Sequence, residues 1–175
     1  MKGSFLLAIM CAALTAAIPT PPPDLTNFLL VTSTCSDYTA NSSLLPNVNA
    51  TSLFDPNKQE TFLLRLIAPG YGSLPQFNIS NSTLQTESYG PVGFTLEEYN
   101  STTVTSGDEL GFVPAVQTMG NLGLKDGYLL SVLGETEGWT VCDGAGAIGQ
   151  SVIFWKGEDE SCEPRYVHAV QTAPY

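Results

Sequence analysis

Two carboxylates that face each other across a cleft can hydrolyse a glycosidic bond, one as acid and the other as base or nucleophile. The chain offers acids in several neighbouring positions: Glu97 and Glu98, Asp108 and Glu109, Glu135 and Glu137, and the run Glu158, Asp159, Glu160. Successive strand residues point to opposite faces, so Glu97 and Glu98 do not share a cleft on a regular strand. Asp108 and Glu109 follow Ser106-Gly107, a turn signal, and Glu135 and Glu137 fall in a predicted hairpin loop. Solvated acidic loops are the preferred reading, and no catalytic residue is assigned. Glu158, Asp159, Glu160 and Glu163 could supply oxygen ligands to calcium, but they lack the alternating spacing of a calcium loop. A charged turn beside Cys162 is preferred, and no metal site is expected.

Other motifs yield less chemistry. His168 is the one histidine, and strand alternation places it on a face with Tyr166 and Val170. A lone His can act as a general base, but there is no G-x-S-x-G to supply a nucleophile. A structural or surface role is expected. Gly144-Ala-Gly-Ala-Ile-Gly149 has the spacing G-x-G-x-x-G, yet it leads into the β-branched run 151–155 rather than a helix. Without that helix there is no phosphate cradle, so no nucleotide and no other cofactor is expected. Trp139 and Trp155 lie on predicted strands; core packing is the first reading, and a platform for a glycan or partner the second.

Four cysteines are present, and Cys11 lies in a leader-like segment, leaving Cys35, Cys142 and Cys162. An odd number in an exported chain implies one free thiol or one intermolecular bridge. Three pairings are open. Cys142–Cys162 is favoured because both flank predicted strands, and a bridge across that loop would stabilise the fold by about 3 kcal/mol. Cys35 would then be buried or reactive. One His and no C-x-x-C argue against zinc.

The leader is read from Lys2, the apolar run 5–14 and the small residues Thr15-Ala16-Ala17. The run is shorter than the roughly 20 apolar residues a membrane span needs, so residues 1–17 are expected to be a cleaved signal peptide. Residues 18–25 form a Pro-rich lead-in, and the C-terminus lacks the apolar tail of a lipid-anchor signal, so no membrane anchor is expected. Asn41, Asn49, Asn78, Asn81 and Asn100 each begin an N-x-[ST] acceptor triplet. Their clustering suggests hydrated loops in the first half and a more compact second half.

The formal net charge is −11 in 175 residues, and charged residues make up 13%. That share is roughly half the usual one. With 43% hydrophobic residues the chain is too apolar to be disordered, and its acidity excludes nucleic-acid binding by phosphate neutralisation. No helical period stands out. Short β-rich runs are predicted at 28–34, 61–68, 76–79, 83–86, 92–99, 110–116, 122–124, 128–133, 138–142, 151–155 and 166–170. Residues 36–60 read as a long polar loop. The expectation is one all-β antiparallel domain over 26–175, a β-sandwich or small barrel, with a β-trefoil as the alternative.

The order Gly138-Trp-Thr-Val-Cys142, Ser151-Val-Ile-Phe-Trp155, Cys162 and Tyr166-Val-His-Ala-Val170 resembles the closing strands of small secreted fungal cell-wall proteins of the PhiA type. The resemblance implies that Cys142 and Cys162 are a matching pair. It also implies a role in the wall of spore-bearing cells and no catalytic residues. The expected function is therefore a secreted, glycosylated, non-catalytic wall or surface protein, partnered by wall polysaccharide or wall proteins. The alternatives are a small polysaccharide hydrolase using two carboxylates, and a secreted effector that binds a glycan or a host.

Overall fold

A computed structural model describes residues 25–56, 61–72, 74–90, 93, 95–144 and 149–175. The expected signal peptide, residues 18–24 of the lead-in and residues 145–148 of the glycine-rich motif lie outside the described residues. β1 (Leu29–Ser33), β2 (Asn49–Phe54) and β3 (Phe62–Ile67) form one antiparallel meander. β4 (Phe77–Ser80), β5 (Thr83–Tyr89), β6 (Leu96–Ser101) and β7 (Gly111–Val113) form a second. Two hairpins follow, β8 (Leu122–Lys125) with β9 (Leu129–Val132), and β10 (Trp139–Asp143) with β11 (Ser151–Trp155). β12 (Glu163–Pro164) and β13 (Tyr166–Val170) are separated only by Arg165.

Turn chemistry sets several of these pairings. Asn81 and Ser82 both have positive φ, 50° and 57°, and they join β4 to β5 in register Ser80 to Thr83. Asp126 and Gly127, at 54° and 80°, do the same between β8 and β9. Two central residues with positive φ match the right-handed twist of the flanking strands, and Asn, Asp and Gly reach that region at least cost.

The strands make one antiparallel, nearly closed, barrel-shaped sheet. β3 is its branch point. One edge pairs with β2 over Leu63 to Ile67; the other pairs with β7 through Phe62 and Leu63, then with β11 through Arg65. One circuit runs β3–β11–β10–β12/β13–β1–β2 and returns to β3. The second runs β3–β7–β6–β5–β4 and reaches the start of β1 through the Phe28–Phe77 bridge, whose two N–H···O bonds measure 3.0 and 2.7 Å. The all-β, single-domain expectation holds in its barrel form. The strand order contains no three equivalent four-stranded units, so the trefoil alternative falls away.

Two expectations are corrected. Residues 36–60 are not one loop, because β2 runs through them and pairs with both β1 and β3. Its Thr51 and Ser52 are buried, and the Thr51 hydroxyl donates to the Leu30 carbonyl at 2.7 Å. A hydroxyl satisfied in this way can be buried at small cost, which is why the run looks polar in sequence. Trp139 and Trp155 pack in the core, their first reading, and the second, a surface platform, is withdrawn. They are 0% and 4% exposed and meet edge to face at 4.9 Å, and the Trp139 Nε1–H donates to the Leu130 carbonyl at 2.9 Å.

Cys142 of β10 is bridged to Cys162 across a sequence separation of 20, with Cα atoms 4.1 Å apart. Cys35 is buried. Glycines allow the close packing here. A Cβ on Gly138 would stand 2.6 Å from the Trp155 ring, and one on Gly157 would stand 2.7 Å from Cys142 Sγ. We therefore expect Gly138→Ala to cost about 1–3 kcal/mol through overpacking, read as a lower denaturant midpoint. Replacing Cys142 and Cys162 together by Ser should cost about 3 kcal/mol in the same measurement.

Candidate ligand-binding groove

The outer face of β4–β5–β6 is organised by register. Asn78 stands opposite Gln85, and Gln85 opposite Asn100; Glu87 is opposite Glu98, and Tyr89 opposite Leu96. Directly opposed residues of antiparallel strands share a face. The face thus carries an amide rung, an acidic rung and an aromatic–aliphatic rung, two residues or about 7 Å apart along the strand. It borders a groove of about 680 Å³ that Ser52 and Leu53 of β2 and the segment Tyr71, Leu74 and Pro75 also line.

Side-chain hydrogen bonds tie the rungs together. Gln85 Nε2 donates to Asn100 Oδ1 at 3.0 Å, and Asn100 Nδ2 donates to Glu98 Oε1 at 3.2 Å. At the other end Asn78 Oδ1 accepts from the Asn27 N–H at 2.9 Å, and its Nδ2 donates to Asn27 Oδ1 at 3.0 Å. Asn100 is 2% exposed, so the Glu98 carboxylate is held from beneath by a buried amide. Tyr89 and Tyr71 are 61% and 50% exposed. Among the described residues no Lys or Arg lines the groove.

Of the acids considered from sequence, only Glu98 reaches this groove. Glu97 stands opposite Ser88 on the other face, as strand alternation required. Asp108 accepts from the Thr105 hydroxyl in its turn. Burial, with Asp108 beside it, pushes the Glu109 carboxyl above its usual range. Glu135 pairs with Lys156 at 2.9 Å, Glu163 with Arg165 at 2.5 Å, and Glu137 is exposed. Asp159 Oδ1 accepts from the Ser161 N–H at 2.8 Å, which with the Ser161 hydroxyl holds its carboxyl below the usual range. Exposed Glu158 and Glu160 flank it, so the run is a capped turn. Among the described residues no three Asp, Glu, His or Cys gather as metal ligands.

Glu87 escaped the sequence reading because its partner sits eleven residues further on, in β6. The available signal was the alternation of Gln85, Glu87 and Tyr89 against Leu96, Glu98 and Asn100.

His168 is structural. It is 2% exposed, and its Nε2 lies 2.7 Å from the Cys35 carbonyl, which can only accept, so Nε2 carries the proton. Tyr128 packs on the ring at 5.8 Å and donates its hydroxyl to the Ser36 carbonyl at 2.9 Å. Burial holds the imidazole below its usual range, against the opposing pull of the Cys35 carbonyl and Asp37.

The acceptor asparagines divide. Asn41 and Asn81 are exposed, Asn49 and Asn78 are half-buried, and Asn100 is buried with both ends of its amide engaged. Asn100 has no room for a sugar and is withdrawn as a glycosylation site. Asn49, Asn78 and Asn100 lie in strands, so the first half is not the set of hydrated loops that the triplets suggested.

The chain matches no protein-family model, no curated protein and no solved structure. What the fold and the groove define is an all-β, disulfide-bonded single domain with an acidic, tyrosine-edged groove.

Two outcomes follow. Like charges directly opposed on a sheet destabilise it by about 0.2–1 kcal/mol, so Glu87→Gln should raise the unfolding temperature slightly at low salt, and less at high salt. The depressed imidazole favours the fold in its neutral form, so its contribution is fully present above the unfolded value of about 6.5 and is lost as pH falls through the folded value. Denaturant unfolding between about pH 7 and pH 5 should show stability falling with pH. His168→Gln, which keeps a donor for the Cys35 carbonyl, should flatten that slope.

Proposed function

We propose that this is a secreted, glycosylated, non-catalytic protein of a cell wall or extracellular surface, with a structural or adhesive role. The Cys142–Cys162 bridge carries the reading. Disulfides persist in oxidising compartments and are rare where glutathione keeps thiols reduced. The leader-like residues 1–17 and the exposed acceptors Asn41 and Asn81 support it. A polysaccharide partner fits the groove, whose exposed tyrosines offer apolar faces beside polar rungs. The resemblance of the closing strands to PhiA-type wall proteins points the same way.

A second reading, a polysaccharide hydrolase, has the opposed Glu87 and Glu98 in its favour. Both side chains are exposed, whereas a general acid is made by an apolar pocket that keeps it protonated. Release of reducing ends from wall polysaccharide, abolished by Glu87→Gln, would establish that reading.

Fractionating the producing cells should recover the protein in the washed wall. Intact mass should show a chain begun near residue 18 and heavier by glycan. Asn81→Gln should remove one glycan and Asn100→Gln none. An unglycosylated chain that starts at Met1 and stays inside the cell would overturn the proposal.

A further inference from the structure

The geometry points to the groove as a binding site for a positively charged, polyhydroxylated chain, an oligomer of an amino sugar with protonated amines. This inference deepens the polysaccharide-associated reading above and rests on it.

Charge is the first argument. The acidic rung places Glu87 and Glu98 directly opposite each other, no Lys or Arg among the described residues lines the groove, and the whole chain carries −11. Opposed like charges work against the sheet until a cation is shared between them. The pair is also held in place. Buried Asn100 donates to the Glu98 carboxylate, and Gln85 donates to Asn100, so the charge needs little reordering to receive an ammonium group.

The flanking rungs argue for a sugar rather than a bare cation. On one side Tyr89 is 61% exposed, with Tyr71 also lining the groove, and an aromatic face suits the C–H face of a pyranose ring. On the other side Gln85, whose Nε2 is held by Asn100, lines the groove with an amide oxygen that accepts from hydroxyls. The three rungs span about 14 Å along the strands, enough for several sugar rings in a chain but far more than one metal ion fills. Two carboxylates alone also give a metal too few ligands, and no third Asp, Glu, His or Cys joins them among the described residues.

The test is calorimetric titration of the purified, full-length mature protein with glucosamine hexamer, N-acetylglucosamine hexamer and hexalysine. We expect the glucosamine hexamer to bind at least about tenfold more tightly than its acetylated counterpart, because acetylation removes the charge. Tyr89→Ala should weaken it about fivefold or more while Tyr89→Phe preserves binding, since the ring face and not the hydroxyl is used. Glu87→Gln should weaken it further and flatten its dependence on salt. Both side chains are exposed, and an unchanged or raised unfolding temperature shows that the variants fold. Equal affinity for the two sugars would overturn the inference. So would hexalysine binding as tight as the glucosamine hexamer and indifferent to Tyr89→Ala, which would mark a non-specific acidic surface. Because the titration uses purified protein, it stands or fails separately from the fractionation that tests secretion.

Discussion

The fold depends on the pairing of β3, the strand through which both circuits of the sheet pass. A strand has two edges, and β3 divides one of them between β7 and β11. At the division Leu110 takes over both ladders: the Leu64 N–H donates to the Leu110 carbonyl, and the Leu110 N–H donates to the Ile153 carbonyl. The backbone groups that splitting strands would leave unpaired are thereby satisfied, as a buried backbone requires. Arg65 marks the same place from its side chain, stacked over Phe54 at 5.1 Å with its guanidinium donating to Gln150 at 2.5 Å.

What surrounds this branch point is organised by how closely elements can approach. Trp139 and Trp155 fill the interior between the β10–β11 hairpin and the rest of the barrel, and they do so because Gly138 leaves the Trp155 ring room. The Cys142–Cys162 bridge then fastens β10 to the segment that enters β12 and β13, with Gly157 packed against its sulfurs. β13 returns to β1 over five residue pairs and brings His168 under the Cys35 carbonyl. This part of the molecule is thus held by aromatic packing, a covalent link and one buried imidazole.

The groove is built differently. Its chemistry lies on one face of β4–β5–β6, where side chains are ordered by register and by amide hydrogen bonds. A polar face of this kind contributes little to stability, and its acidic rung opposes it. A locally unfavourable arrangement inside an otherwise consistent fold is where function is expected to sit.

Composition, turn residues and β-branched runs determined that this chain folds into sheets, because strand formation is decided by local alternation and by where Asn, Asp and Gly permit a reversal. They located most of the strands and favoured the Cys142–Cys162 pair. They did not reveal β2, whose buried Thr51 and Ser52 look like loop until the strand pairs and the Leu30 carbonyl of β1 satisfies the Thr51 hydroxyl. They named Glu98 among many acids but not Glu87, and they left Trp139 and Trp155 open between core and surface. Those choices belong to the tertiary structure, because burial and the meeting of two carboxylates depend on which strands pair and in what register, and pairing between distant segments leaves no mark in either segment alone.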